Sequence, residues 1–189
     1  LYKIIKKQIP LHDLIIVCDY GHGLISKKIS NLIIKSGKFY TYNSQINSSN
    51  VSHHTLDKFV NMKGVVINAN ELKHEFRDNN SSIVSLGKKL QKKLKTKKII
   101  ITQGKDGVIL INNNKVFHAP AFTKNVVDKI GAGDAMLALA SLCFKKNLDE
   151  LLTLYLGSIA AGHVVETMSN SSPIDKDKIL KIVSHQLLN

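Results

Sequence analysis

Arginine is almost absent from this chain. The formal net charge reaches +13 from 27 Lys and Arg residues, yet only Arg77 is an arginine. Recognition of nucleic-acid phosphates and bases favours the bidentate guanidinium fork, so this charge predicts no nucleic-acid partner. The lysines spread over several segments and are densest between Gly87 and Lys95. There Leu86, Leu90 and Leu94 form an apolar stripe at helical spacing, and the lysines form its solvated face. Cysteine is scarce too. Cys18 and Cys143 both lie in apolar segments, which predicts buried thiols in a reducing compartment and no structural disulfide. No apolar run is long enough to span a bilayer and no basic, apolar leader opens the chain. The expectation is a cytoplasmic protein with no membrane partner. His53-His54 has no Cys, Asp or Glu at metal-ligand spacing, which argues against zinc.

What the chain does contain is an ordinary globular composition, 43% hydrophobic and 22% charged over 189 residues, enough for one core and one domain. Leu14 to Cys18 is a short apolar run of the buried-strand kind, stopped by Asp19-Tyr20-Gly21-His22-Gly23. A helix is predicted from Ser26 to Lys35, a strand over Lys38 to Tyr42, and a polar loop over Asn43 to Asn50. A second helix is predicted from about Ser52 to Asn61. Val65 to Ile67 reads as a strand that runs into a helix at Asn68, and Ser81 or Ser82 opens the lysine-rich helix. Lys98 to Thr102 is the clearest strand, and a hairpin through Asn112 to Asn114 joins Val108–Ile111 to Lys115–His118. Helices follow over roughly 132–146, 149–168 and 175–187. Strands alternating with helices, then one hairpin, then a run of helices predict a three-layer α/β/α sandwich with a mostly parallel sheet.

Sheets of this kind take ligands at the carboxyl ends of their strands. The clusters Asp19 to Gly23, Tyr42 to Ser44, Asn68 to Glu71 and Thr102 to Gly104 each follow a strand, so all four should surround one sheet edge. The same edge should receive the run Val127-Asp128-Lys129-Ile130-Gly131-Ala132-Gly133-Asp134, which leads into an apolar helix. Small residues at a helix start leave its first amides open, and amides plus helix dipole favour a phosphate. Asp134 beside that anion suits a general base that deprotonates an attacking hydroxyl. Close helix–strand packing, with Asp134 as a dipole-friendly first-turn residue, explains the run equally well when it is taken alone.

The run resembles the motif Asp-x-x-Gly-Ala-Gly-Asp of the ribokinase (PfkB-type) carbohydrate kinases. Asp128 and Gly131 to Asp134 match it at every fixed position, and Lys129 departs from the small hydroxyl residue often found there. The resemblance implies a ribokinase-like fold and ATP-dependent phosphorylation of a sugar or sugar-phosphate hydroxyl. Asp134 would be the base, and Gly131, Ala132 and Gly133 the anion hole. Asp128 becomes a candidate ligand for a monovalent cation. Asn68-Ala69-Asn70-Glu71 is similar to the family's Asn-x-x-Glu, which implies Mg²⁺ held through water by Asn68 and Glu71. A capping box, Asn68 at the N-cap with Glu71 three residues on, is the other reading. Thr102-Gln103-Gly104-Lys105-Asp106-Gly107 resembles the Thr-x-Gly-x-x-Gly segment around the nucleotide, which makes Thr102, Gly104 and Gly107 cofactor candidates. A plain hairpin turn also explains Gly107.

Asp19-Tyr20-Gly21-His22-Gly23 looks like the Asp-Tyr-Gly-Lys-Gly segment of the family's heptose-phosphate kinases, with His22 in place of lysine. On that resemblance Asp19, Gly21 and Asn43 are substrate candidates, and Gln45, Asn47 and Asn50 are amides suited to sugar hydroxyls. Together with Ser169 to Asp175, the segment points to the subgroup associated with a cytidylyltransferase, fused or as a partner. Gly157, Ala160, Ala161 and Gly162 would let either a helix or an adenine ring approach. His163 reads as a surface or internally satisfied histidine.

The resemblance maps residues 1–189 onto the C-terminal part of such a kinase, without the N-terminal half and its lid. A non-catalytic nucleotide-binding module of a nucleotide-sugar pathway enzyme is therefore the alternative to an active kinase. A homodimer is left open.

Overall fold

The computed structural model describes residues 1–45, 56–123, 126–166 and 174–187. Among these residues six strands form one sheet: β1 (Leu14–Asp19), β2 (Phe39–Ser44), β3 (Gly64–Asn68), β4 (Lys98–Thr102), β5 (Val108–Asn112) and β6 (Lys115–Ala119). Their order across the sheet is their order in the chain. β1 to β4 run parallel, and β5 and β6 add antiparallel. The β5–β6 turn is Asn113-Asn114, where Asn113 takes φ +52°, a left-handed conformation that asparagine tolerates better than most residues.

Because side chains alternate along each strand, the two faces of the sheet carry different residues. One face presents Tyr40, Tyr42, Val65, Ile67, Ile99, Ile101, Ile109 and Ile111 to three helices, α2 (Lys27–Lys35), α3 (Ala69–Phe76) and α4 (Ile83–Leu94). Leu86, Leu90 and Leu94 of α4 are fully buried there, as their spacing predicts. Each such leucine contributes roughly 1.5–3 kcal/mol by leaving water. The other face presents Val66, Ile100 and Leu110 to α5 (Ala132–Lys145) and α6 (Glu150–Val165). α7 (Lys176–Leu187) packs outside that pair through Ile179. The result is the three-layer α/β/α sandwich. Among the described residues no helix is long and apolar enough to cross a membrane.

The structure adds one helix and corrects three expectations. A short helix, α1 (Tyr2–Gln8), precedes β1; it has no fully buried residue, and Tyr2 and Ile5 pack partly buried against the core. In place of a helix from Ser52 to Asn61 the described part holds only a 3-10 turn, Leu56–Lys58. Leu56 and Phe59 are driven into the core, and Asn61 turns left-handed at φ +62° to donate to the Leu94 carbonyl. Residues 52–55, with His53-His54, lie outside the described residues, as do Asn47, Asn50 and 169–173. β1 is a boundary strand of the described sheet, and its Ile16 is 39% exposed. Cys18, on the same side of that strand, is also exposed, whereas Cys143 is buried as expected.

Candidate active site

Strand register sets out the site. Cys18 lies beside Asn43, and Asn68 beside Thr102. By alternation all four belong to the α5-facing side of the sheet at its carboxyl edge. α5 starts at the same edge. Its N-cap is Gly131 at φ +86°, and no side chain caps it. A side chain at Gly131 would be strained in that left-handed conformation. Space for a Cβ at Gly133 is empty to 4 Å, so ligand atoms can approach the backbone there. Asp128 holds the preceding turn: its Oδ1 accepts from the Ile130 amide at 3.0 Å, and its own amide donates to the Val165 carbonyl at 3.1 Å.

Asp134, in the first turn of α5, receives two donors from across the sheet edge. The Tyr20 hydroxyl donates to Oδ2 at 2.9 Å, and Gln45 Nε2 approaches Oδ1 at 3.4 Å. That carboxylate acts on its neighbours. The Tyr20 phenol is pushed up to about 12, first by its hydrogen bond to Asp134. The Cys18 thiol is pushed up to about 11, mainly by partial burial and then by Asp134. Both groups therefore stay protonated through the physiological range. No motif in the sequence marks Tyr20 or Cys18 as a neighbour of Asp134. The signal available was strand period: it sends Asp19 to one face and Cys18 to the other.

Asp19 turns away from this cluster. It is 2% exposed, paired with Lys58 at 2.8 Å, and accepts from the Gly21 amide at 3.0 Å. Gly21 takes φ +74° and so forms the turn after β1. Asn43 is 4% exposed, and its Nδ2 donates to the Val66 carbonyl at 2.8 Å. Its Oδ1 is buried with no partner among the described residues.

The geometry at Asn68 and Glu71 is that of the capping reading. Asn68 Oδ1 accepts from the Asn70 amide at 2.9 Å, Glu71 Oε2 accepts from the Asn68 amide at 2.8 Å, and the capping box is closed. Asn68 Nδ2 also reaches the Thr102 carbonyl at 3.3 Å, which ties the α3 start to the end of β4. Beyond Thr102, Gly104 (φ +62°) opens a 3-10 turn, Gly104–Asp106, and the Gln103 amide donates to the Gly107 carbonyl at 2.9 Å. A Cβ on Gly107 would meet Pro120 Cα at 2.9 Å, so packing alone requires that glycine. In α6, Gly157 packs on Met136 and Gly162 on Thr123, while His163 is half-buried with no partner for Nε2 among the described residues. No group of three or more His, Cys, Asp or Glu is placed to hold a metal among the described residues.

Residues 35–177 match the family described as pfkB family carbohydrate kinase. The chain belongs to that family. The bifunctional protein HldE of Koribacter versatilis is 22% identical over 179 residues, a stretch that takes in 93% of this chain and 36% of that relative. A 1-phosphofructokinase of Haloferax volcanii is 30% identical over 87 residues, 46% of this chain and 28% of its own length. Two solved structures share the fold. Arabidopsis thaliana ribokinase, complexed with ribose and ATP, superposes with a TM-score of 0.75 at 18% identity, over 94% of this chain and 58% of its own. Escherichia coli phosphofructokinase-2, in complex with substrates and products, gives 0.76 at 14% identity, over 97% and 61%. The sheet and helices of this pfkB family chain thus follow a ribokinase-like plan, and the chain spans 36% of the HldE relative's length.

Proposed function

We propose that this chain forms the nucleotide-binding and phosphoryl-transfer part of an ATP-dependent sugar or sugar-phosphate kinase. The observation that carries this reading is the start of α5, an uncapped helix end with Asp134 in its first turn. Asp134 takes the proton from the acceptor hydroxyl as that oxygen bonds to the γ-phosphorus of ATP and the bond to the ADP oxygen breaks. Amides of Gly131, Ala132 and Gly133 face the charge that develops on the phosphoryl oxygens; the Ala132 amide is only weakly engaged, 3.5 Å from the Lys129 carbonyl. Thr102 and Gly104, at the end of β4, border the nucleotide.

Mg²⁺ fits the donor set in one manner. One carboxylate and one amide at the α3 start suit an ion that keeps most of its water and takes its other ligands from phosphates. Glu71 and Asn68 would hold it through water while they cap the helix. When bound, it supplies charge neutralisation on the phosphates. The family membership supports a sugar-class acceptor, and the HldE likeness makes a heptose phosphate, with a fused or separate cytidylyltransferase, the first acceptor and partner to try.

The test is Asp134→Asn in the protein expressed from its whole reading frame, assayed on hexoses, heptoses and their monophosphates. Turnover should drop by about 10²–10⁴-fold, the worth of a positioned base, with ATP affinity within a few-fold. Near-normal turnover in the variant would remove Asp134 from the base role. ATP binding by the wild type without phosphorylation of any acceptor would favour a non-catalytic nucleotide-binding module.

A further inference from the structure

An acidic residue in the first turn of a helix has an easy local option, to fold back on the amides of its own helix start. Asp134 sits two residues after Ala132, where α5 begins, and does not take that option. Its carboxylate is engaged by Tyr20, 114 residues away in the chain, and by Gln45, 89 residues away. The Tyr20 contact, at 2.9 Å, is the shorter of the two and is charge-assisted. The Tyr20 side chain is 46% exposed, so its ring does little for the core.

We propose that Tyr20 is a positioning residue: its hydroxyl holds the Asp134 carboxylate off the Gly131–Gly133 amides, leaving them open to phosphate. The inference rests on the anion-hole and base reading given above, and it deepens that reading by adding the group that keeps base and anion hole apart. A carboxylate that swung onto these amides would occupy the phosphate position and repel the triphosphate. It would also leave the acceptor hydroxyl without an aimed base. Gln45 approaches the other oxygen at 3.4 Å and supports the same orientation more weakly.

The experiment compares Tyr20→Phe, Asp134→Asn and the double variant in the whole protein, with the Kd of Mg·ATP measured by calorimetry and turnover on the acceptor that the panel selects. For Tyr20→Phe, kcat should fall about tenfold, the worth of one hydrogen bond to a charged group. The Kd for ATP should rise about fivefold, by the same lost interaction, with KM for the acceptor and the thermal midpoint little changed. Without the carboxylate the effect on ATP should vanish, so the double variant should bind ATP as Asp134→Asn does. The proposal is overturned if Tyr20→Phe leaves both kcat and ATP affinity unchanged. It is equally overturned if KM for the acceptor falls at constant kcat, which would make the phenol a competitor for the base. Persistence of the ATP effect in the double variant would show a general structural role and also overturn it. If instead Asp134→Asn keeps its turnover, the base role fails alone, and the ATP measurements still decide on Tyr20.

Discussion

α3 and α5 both begin at the carboxyl edge of the sheet, and they treat their first amides in opposite ways. At α3, Asn68 and Glu71 close a capping box, so the helix end satisfies itself. At α5 a left-handed glycine opens the helix, no side chain caps it, and the acidic residue of the first turn accepts a hydrogen bond from Tyr20. A helix end that caps itself is a local construction of four residues. One left uncapped has amides that water or a ligand must satisfy, and the rest of the fold has to keep the chain's own carboxylate away from them.

The contrast breaks most sharply at Gly131. A Cβ there meets the left-handed penalty of about 1–2 kcal/mol, and relief of that strain would turn the first amides. Gly131→Ala should lower turnover by about 100-fold, as loss of a well-placed anion-hole donor does, with weaker ATP binding by calorimetry. Turnover within threefold of wild type would mean that the α5 start is no more specialised than that of α3. At α3 two substitutions separate capping from metal placement. Asn68→Ala should cost about 1 kcal/mol in denaturant unfolding through loss of the cap. Glu71→Gln keeps an acceptor for the Asn68 amide, so stability should hold within about 0.5 kcal/mol. The Mg²⁺ concentration needed for half-maximal turnover should then rise about fivefold as the carboxylate charge is lost. An unchanged Mg²⁺ requirement would leave α3 with capping alone.

The smallest effect probes the charge beside α5. Cys18 is exposed, yet its thiol is raised to about 11, so the protonated form prevails below that pH and alkylation by iodoacetamide should climb steadily up to it. Burial is the larger cause and Asp134 the lesser, so Asp134→Asn should speed labelling at pH 8 by only about threefold. A much larger acceleration would show the carboxylate dominating that corner of the site.

Most of the layer architecture is legible in the sequence because apolar period and chain order carry it. Lys98 to Thr102 is a strand with the very limits that its β-branched run suggests, and Asn68 and Ser82 mark their helix starts through capping chemistry. The run Gly131 to Asp134, with its match to the family's motif, is likewise local and readable. What escapes is whatever depends on neighbours. An apolar run such as Leu14 to Cys18 cannot say that its strand will lie at the margin of the sheet, with Ile16 and Cys18 uncovered. Phe59 and Asn61 look helical until core burial and the Leu94 carbonyl claim them. The bond from Tyr20 to Asp134 joins the end of the first strand to a helix that starts after the sixth, and no window along the chain contains both.

The matching of strand order to chain order has a kinetic side. Each strand can dock on the one made just before it, so the sheet can grow at a single margin as synthesis proceeds, from β1 to β6. α5 then reverses direction in space and comes back to lie against the first three strands. Its return closes a loop of 114 residues between Tyr20 and Asp134. A nascent chain halted between Ala119 and Gly131 carries all six strands of the described sheet and none of the Gly131–Asp134 run.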